Sequence, residues 1–373
     1  MHFTFNDIAG YAVYYLLFVF TFLLVLAGIL KWVEDKWVLV ITGFVFILIA
    51  ALRARGIDKD YENYLFSFNS MGKPTDYFTH YSKWVSYEPI SYLLPSFVKL
   101  FFRNGIYQQI VFFIYSISSI TILFTALKKV SPLPAVSVVH FFCYYFLVHE
   151  MTQIRVAVAC ALLIWGAWFY FNKQYKAFAA VCVLAPLFHY AGMMMPFLLL
   201  FRRDTFSAKR CFIFLGLSLA LVAIKPENII AFFMGVNAPF LQKMNATIEV
   251  LSSQSDSISI FNVTNLLNIV MAVWLIINHK KLIELSPYAY LFIKMQVLSI
   301  FLFGLFSSVP YVAFRISEFW GIVNIITATY IVYAFRSRIE GYLAVTLYSF
   351  FLLVVSLHVS GLLQPYRFVF MDK

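Results

Sequence analysis

Charge is scarce in this chain. Of its 373 residues, 12 % are Asp, Glu, Lys or Arg, about half the roughly 25 % of an ordinary soluble domain. That shortage excludes a conventionally solvated globule. Cysteine is scarcer still. Cys143, Cys160, Cys182 and Cys211 lie in or beside apolar segments, without metal-ligand spacing, and read as packing residues. The chain also lacks a Walker motif, a dinucleotide fingerprint, a long soluble domain, a low-complexity tract and a clear internal repeat. Any chemistry is therefore expected from the membrane segments and their loops, without nucleotide hydrolysis and without a cofactor. No cleavable signal peptide is expected, because the apolar run from Ile8 to Leu30 is too long for one and has no basic segment before it.

What is abundant is apolar: 62 % of the chain is hydrophobic. Runs of about 17–22 residues recur throughout, each long enough to cross a ~30 Å hydrocarbon layer. The expected fold is an all-α polytopic membrane protein, a single membrane domain over residues 1–373 with about twelve transmembrane helices. The expected spans are 8–30, 37–52, 106–127, 133–150, 154–171, 174–188, 190–205, 211–224, 262–278, 288–309, 316–335 and 341–358. Pro186 and Pro196 interrupt the sixth and seventh, which suit a dipping hairpin. Residues 88–102 are apolar but short and broken by proline, so they read as an interfacial or re-entrant helix. Two long loops remain, 53–105, which includes that helix, and 225–261.

The net charge of +11 comes from short basic clusters at span ends. Orientation and contact with anionic membrane lipids explain such clusters better than nucleic acid does. Under strict alternation six of them fall on one side: Lys31/Lys36, Lys128/Lys129, Lys173/Lys176, Arg202/Arg203/Lys209/Arg210, Lys280/Lys281 and Arg336/Arg338. The positive-inside rule makes that side cytoplasmic. The opposite face then receives both long loops, His189, the C-terminal tail and the polar knot His149-Glu150-Met151-Thr152-Gln153-Ile154-Arg155. A crossing by 88–102 would split the clusters between compartments, so parity argues against one. A polar face built from many loops suits an active or binding site. A transporter would more naturally place its polar groups near the midplane.

Arg155 is the costliest residue on that face, about 2.5–3.5 kcal/mol on insertion scales, and an intramembrane charge points to function by default. Snorkelling to lipid headgroups is the plainer reading, but Gln153, His149 and Glu150 nearby favour a built site. Arg315 repeats the pattern after Pro310, and the tail adds Gln364-Pro365-Tyr366-Arg367. Arg53-Ala-Arg55-Gly56-Ile57-Asp58-Lys59-Asp60-Tyr61 can bind an anion or a hydroxylated ligand, or can be a solvated loop with weak ion pairs. Asp58 and Asp60 form an Asp-x-Asp pair, but the flanking basic residues weigh against a metal there. Glu88 opens the short apolar segment as a helix charge or a base. His189 is a packing histidine or a site residue. Arginines from separate spans on one face suit a diphosphate, which their planar forks bind bidentately.

Together these residues resemble a known family. Arg53, Gly56, Asp58 and Tyr61 after the second span, Glu88-Pro89, Gln153-Ile154-Arg155, Phe188-His189, Arg315 and Pro365-Tyr366 occur in the order seen in the EpsG-like family, which belongs with Wzy-type polymerases of bacterial surface polysaccharides. Arg55 and Asp60 crowd the first motif and leave two candidates for each position. The resemblance implies a GT-C-like helical bundle in the bacterial cytoplasmic membrane. It implies a glycosyltransferase of the outer leaflet that polymerises undecaprenyl-diphosphate-linked repeat units for O-antigen, capsule or exopolysaccharide. A flippase would deliver the acceptor, and a chain-length regulator is a further partner of that scheme. Within it, Arg155 and Arg315 would bind the donor diphosphate and Arg55 would steer a phosphate. Gln153, Asp60, Tyr61, Tyr366 and Arg367 would line the substrate site. His189, Glu88 and Asp58 are, in that order, the candidate bases for the acceptor hydroxyl. The alternatives are a single-sugar GT-C-like transferase or a ligase, a lipid-linked oligosaccharide flippase or transporter, and a structural partner of an export machine.

Overall fold

A computed structural model describes residues 10–80, 87–102, 105–224, 262–307 and 309–371. The expected 225–261 loop and the start of the first apolar run at Ile8 lie outside the described residues. Among the described residues the chain is helical, and its extended pairing is two isolated antiparallel bridges, Arg53 with Phe368 and Asp58 with Leu363. The principal helices are α1 Ala12–Ile29, α2 Asp35–Ala51, α3 Tyr61–Ser70, α4 Pro89–Phe101, α5 Ile106–Val130, α6 Pro134–His140, α7 Ile154–Phe171 and α8 Tyr175–Phe188. They continue as α9 Ala208–Ile224, α10 Val263–Leu285, α11 Ala289–Leu305, α12 Pro310–Gly321, α13 Asn324–Thr327 and α14 Arg338–Val354.

Among the described residues five helices are long and apolar enough to cross a membrane: α1, α5, α7, α10 and Arg338–Val359. The pair Val312–Gly321 and Asn324–Ala334, bent by 47°, makes a sixth if it counts as one span. This is a helical membrane protein. The other expected crossings are helical but interrupted or short. Residues 134–152 change from α6 to a π-helix at Phe141. The α2, α9 and α11 helices have 17 residues each. Pro186 and Pro196 limit the next two elements to a 14-residue α8 and an 11-residue 3-10 helix, Tyr190–Leu200. These two fold back on each other at His189. Gly192 permits the fold, since a Cβ there would meet the backbone carbonyl carbon of Ala185 at 2.6 Å.

The α7 helix is the central post, with 72 % of its apolar window buried against 22 % for α1. Its sequence explains this. Val156 to Ile164 is apolar on every face, the pattern of a helix enclosed on all sides. Ala157, Ala159, Ala161 and Gly166 let α5, α8 and the 3-10 helix approach closely. Leu16, Phe44, Leu217, Val270, Ile277 and Leu347 are instead exposed on the outside, as lipid-facing positions would be.

The basic clusters gather through shared contacts. Lys31 and Arg338 line one cavity. Lys129 sits over the Trp168 ring, and Arg203 donates to the carbonyls of Tyr170 and Phe171 and to the Tyr175 hydroxyl. Phe206 stacks on His279, beside Lys280. The other ends of the same helices carry Arg53 after α2, Gln109 in α5, Arg155 in α7 and His189 after α8.

At that second end, Arg53 and Asp58 form an ion pair of 2.8 Å with both side chains fully buried. Arg53 also donates to the Ala50 carbonyl and lies 4.4 Å from the Phe112 ring centroid. The C-terminal tail seals the pair through Ala54 N–H to Arg367 O, Gln364 N–H to Ile57 O and Val369 N–H to Leu52 O. Tyr366 donates to the Ile49 carbonyl, and Tyr14 to that of Gln364. Removing one member leaves a buried charge uncompensated, at about 3–5 kcal/mol. Asp58→Asn should therefore lower the melting temperature of the purified protein sharply, and Arg53→Met with Asp58→Asn should recover much of it. Arg55→Ala, on the exposed neighbour, should leave the melting curve unchanged.

Candidate functional site

Arg155 enters at a break in the helix. The π-helix Phe141–Thr152 stops at Gln153, whose φ of −101° and ψ of 56° are not helical, and α7 begins at Ile154. A cation in the first turn of a helix opposes its dipole by about 0.3–1 kcal/mol. The placement is compensated by Glu88, whose Oε2 accepts from Arg155 Nη1 at 2.5 Å. Glu88 stands at the N-cap of α4 but makes no side-chain cap; Pro89 needs none at N1. Its carboxylate is turned inward instead, 1 % exposed, and also accepts from the Ser91 hydroxyl at 3.3 Å.

His189 Nε2 lies 3.9 Å from the other Glu88 oxygen. Its Nδ1 accepts the Ala191 N–H at 3.2 Å, so the neutral ring carries its proton on Nε2, toward Glu88. His189 therefore stands beside Glu88, with Nε2 beyond hydrogen-bond distance of the carboxylate and Nδ1 taken by the Ala191 N–H.

Arg155 and Arg315 face one open cavity. It holds about 500 Å³ of empty space, mouth included, and Asp60, Tyr64, Ser67 and Ser91 also line it. Arg315 Nη2 lies 3.6 Å from Asp60 Oδ2. Arg155 lies over the Tyr64 ring, 5.7 Å from its centroid, and its Nε is buried with no hydrogen-bond partner. Two guanidiniums from helices far apart in sequence thus meet at one polar opening. Each lies beside a carboxylate, and a guanidinium carries five N–H donors in a planar fork.

The remaining expected site residues lie elsewhere. Asp58 is locked to Arg53 away from the cavity; burial raises its carboxyl and Arg53 pulls it back down. The Asp-x-Asp pair is split, Asp58 toward Arg53 and Asp60 toward Arg315, so the two carboxylates do not converge as metal ligands. Among the described residues no three His, Cys, Asp or Glu side chains gather as such a site. Arg55 points outward to Glu62 at 2.5 Å, and its hydrogen bonds hold the Glu62 carboxyl below its usual range. Tyr61 is buried, its hydroxyl taking the Gln109 amide at 2.9 Å. Tyr366 is committed to the tail's docking, and Arg367 donates to the Arg55 carbonyl at 3.3 Å. Gln153 reaches Glu318 at 3.2 Å.

Sequence reasoning missed Tyr64, Ser67, Ser91 and Glu318. The signal for Glu318 was available, as a carboxylate three residues after Arg315 in an otherwise apolar helix.

The class is a helical membrane protein with an arginine-lined cavity at one end of its bundle. The chain belongs to the EpsG family, whose family model matches residues 36–368, a family associated with polysaccharide-polymerase-like membrane proteins. No curated protein and no solved structure matches it.

Arg155→Ala orphans the buried Glu88 carboxylate and should destabilise the protein by up to about 3–5 kcal/mol. Arg155→Met with Glu88→Gln removes both charges and should restore thermal stability without restoring activity. Melting curves and polymer assays on the same preparations separate the two effects. Equal melting temperatures for Arg155→Ala and wild type would show that the pair carries no stability.

Proposed function

We propose that the protein polymerises lipid-linked oligosaccharide repeat units of a bacterial surface polysaccharide, such as O-antigen or capsule. The reaction takes place at the outer face of the cytoplasmic membrane. The donor is a growing glycan on undecaprenyl diphosphate, and the acceptor is one repeat unit on the same carrier. A flippase and a chain-length regulator are the working partners, and the helices form a GT-C-like bundle.

The observation that carries this reading is the meeting of Arg155 and Arg315 at one open cavity, at the helix ends opposite the basic loops. A diphosphate at an outer leaflet edge needs such permanently charged, planar donors. In the reaction an acceptor hydroxyl attacks the donor's anomeric carbon, and the bond to the diphosphate breaks. Negative charge grows on the departing phosphate oxygens, and preset donors aimed there lower the barrier. The leaving group departs as a diphosphate, so no strong acid is required at that oxygen. Tyr64 and Ser91 supply neutral contacts at the cavity wall. The charges lie at one end of the bundle, which speaks against a transporter with its charges at midplane depth.

Arg155→Lys keeps the charge and loses the fork. In a strain lacking the chromosomal copy, this variant and Arg315→Ala should each collapse the polysaccharide ladder to a single repeat on a glycan gel, with normal protein in the membrane. Long-chain polymer from both variants would remove the diphosphate assignment.

A further inference from the structure

At the end of the bundle that carries the basic clusters, five elements leave a second large opening between them. It holds about 610 Å³ of empty space, mouth included, against about 500 Å³ for the arginine cavity. The end of α1, the starts of α2, α6 and α14, and the 3-10 helix Ala328–Ala334 surround it. Ile29, Leu133, Val136 and Val332 make its walls apolar. The wall at Val332 is tightly set, since a Cβ on Gly341 of α14 would run into the Val332 backbone.

Three charged side chains line this opening: Lys31, Asp35 and Arg338. Among the described residues none of the three has an ion-pair partner within 4 Å, not even one another. Asp35 thus differs from its chain neighbours Glu34 and Lys36, which pair at 2.8 Å. Opposite charges that share a cavity without touching complement a ligand that bears both signs. Lys31 carries a further mark. Its φ is 61°, left-handed backbone just past the end of α1, where glycine is the usual residue. Lys173 is the other non-glycine residue with positive φ among the described residues, and it lies outside the cavity lining.

The cavity sits at the depth of lipid headgroups. Trp32 and Trp37, close to Lys31 and Asp35 in the chain, are exposed, as interfacial tryptophans are. Next to Arg338 begins an exposed apolar stripe, Ile339, Leu343, Leu347 and Phe351, at four-residue spacing along α14. The stripe is about 18 Å long, close to one leaflet of a ~30 Å hydrocarbon core.

We propose that this cavity binds a membrane phospholipid with a phosphoethanolamine headgroup. The diester phosphate lies between Lys31 and Arg338, the ammonium donates to Asp35, and one acyl chain follows the α14 stripe. Basic pockets between membrane helices suit lipid phosphates in general; the carboxylate selects among the lipids. A phosphoglycerol headgroup offers Asp35 only neutral hydroxyls, and phosphocholine offers it no N–H at all, whereas a charged donor makes the stronger bond. This site is separate from the proposed glycan chemistry and does not depend on it.

Lipids titrated into the purified full-length protein in detergent test this through the melting temperature, which rises as a site on the folded state fills. Phosphatidylethanolamine should act at about tenfold lower concentration than phosphatidylcholine or phosphatidylglycerol, the worth of one hydrogen bond to a charged group. Lys31→Gly and Arg338→Gln should each weaken it about fivefold, as loss of one basic residue near a lipid surface does. Asp35→Asn should erase the preference for ethanolamine while phospholipids still bind. Lys173→Gly should titrate like the wild type. Lys31→Gly also relieves its own backbone, so its lipid-free melting temperature should hold, which separates lost binding from misfolding. Equal titrations for the three lipids, or an ethanolamine preference that survives Asp35→Asn, would overturn the proposal. So would phosphatidylglycerol as the tightest lipid, or an equal shift from free phosphoethanolamine, which has no acyl chain.

Discussion

The Glu88–Arg155 ion pair organises the polar end of this molecule. It joins the start of α4 to the start of α7 and draws in His189 from the α8 hairpin and Ser91 from α4. A carboxylate at 1 % exposure is stable only if paired. Each element that meets there is therefore fixed relative to the others. A pair of well-packed apolar side chains could hold the same helices at no desolvation cost. The charge earns its place only if its donors are wanted at the cavity. Arg155 gives Nη1 to Glu88 and lies 20 % exposed at the cavity wall. A ligand there meets a guanidinium whose position is already set, and little ordering remains to oppose binding.

A parallel division of labour separates Arg53 from Arg55. The two residues are two positions apart on the α2 exit, yet one is fully buried and the other is on the surface. Arg53 is an anchor for the tail, and through the tail for α1 and α2. Pro365-Tyr366 and the Arg53 motif, far apart in the chain, thus meet in the fold. The tail and that motif form one packed unit, with Tyr366 bonded to Ile49 and Gln364 bonded to Ile57.

These contrasts show what the sequence could and could not convey. The placement of Arg155, Glu88, His189 and Arg315 at one end was legible, because loop charge and span parity are one-dimensional signals that survive without coordinates. The α7 boundaries were legible too, since Gln153 and Asn172 flank a run that is apolar apart from Arg155. Which of two neighbouring arginines turns inward was not. That depends on a tail more than three hundred residues downstream in the chain, and no local pattern encodes such pairing. Crossing number was equally hidden, because apolar length alone does not register a π-helix at Phe141 or a fold-back at His189. Asp58 and Tyr61 read as ligands from their types, yet burial had already committed both.

The helix α12 carries two polar side chains that its apolar composition conceals. Arg315 lines the arginine cavity, whereas Glu318, one turn further on, lines a cleft beside α10 and accepts from Tyr144 and Gln153. A guanidinium and a carboxylate one turn apart on a helix still feel each other's charge. Gln153 links the two regions through the chain: its amide holds Glu318, and its non-helical backbone ends the π-helix two residues before Arg155. The break in the helix is therefore what allows one short segment to serve both a buried carboxylate and an arginine at the cavity wall.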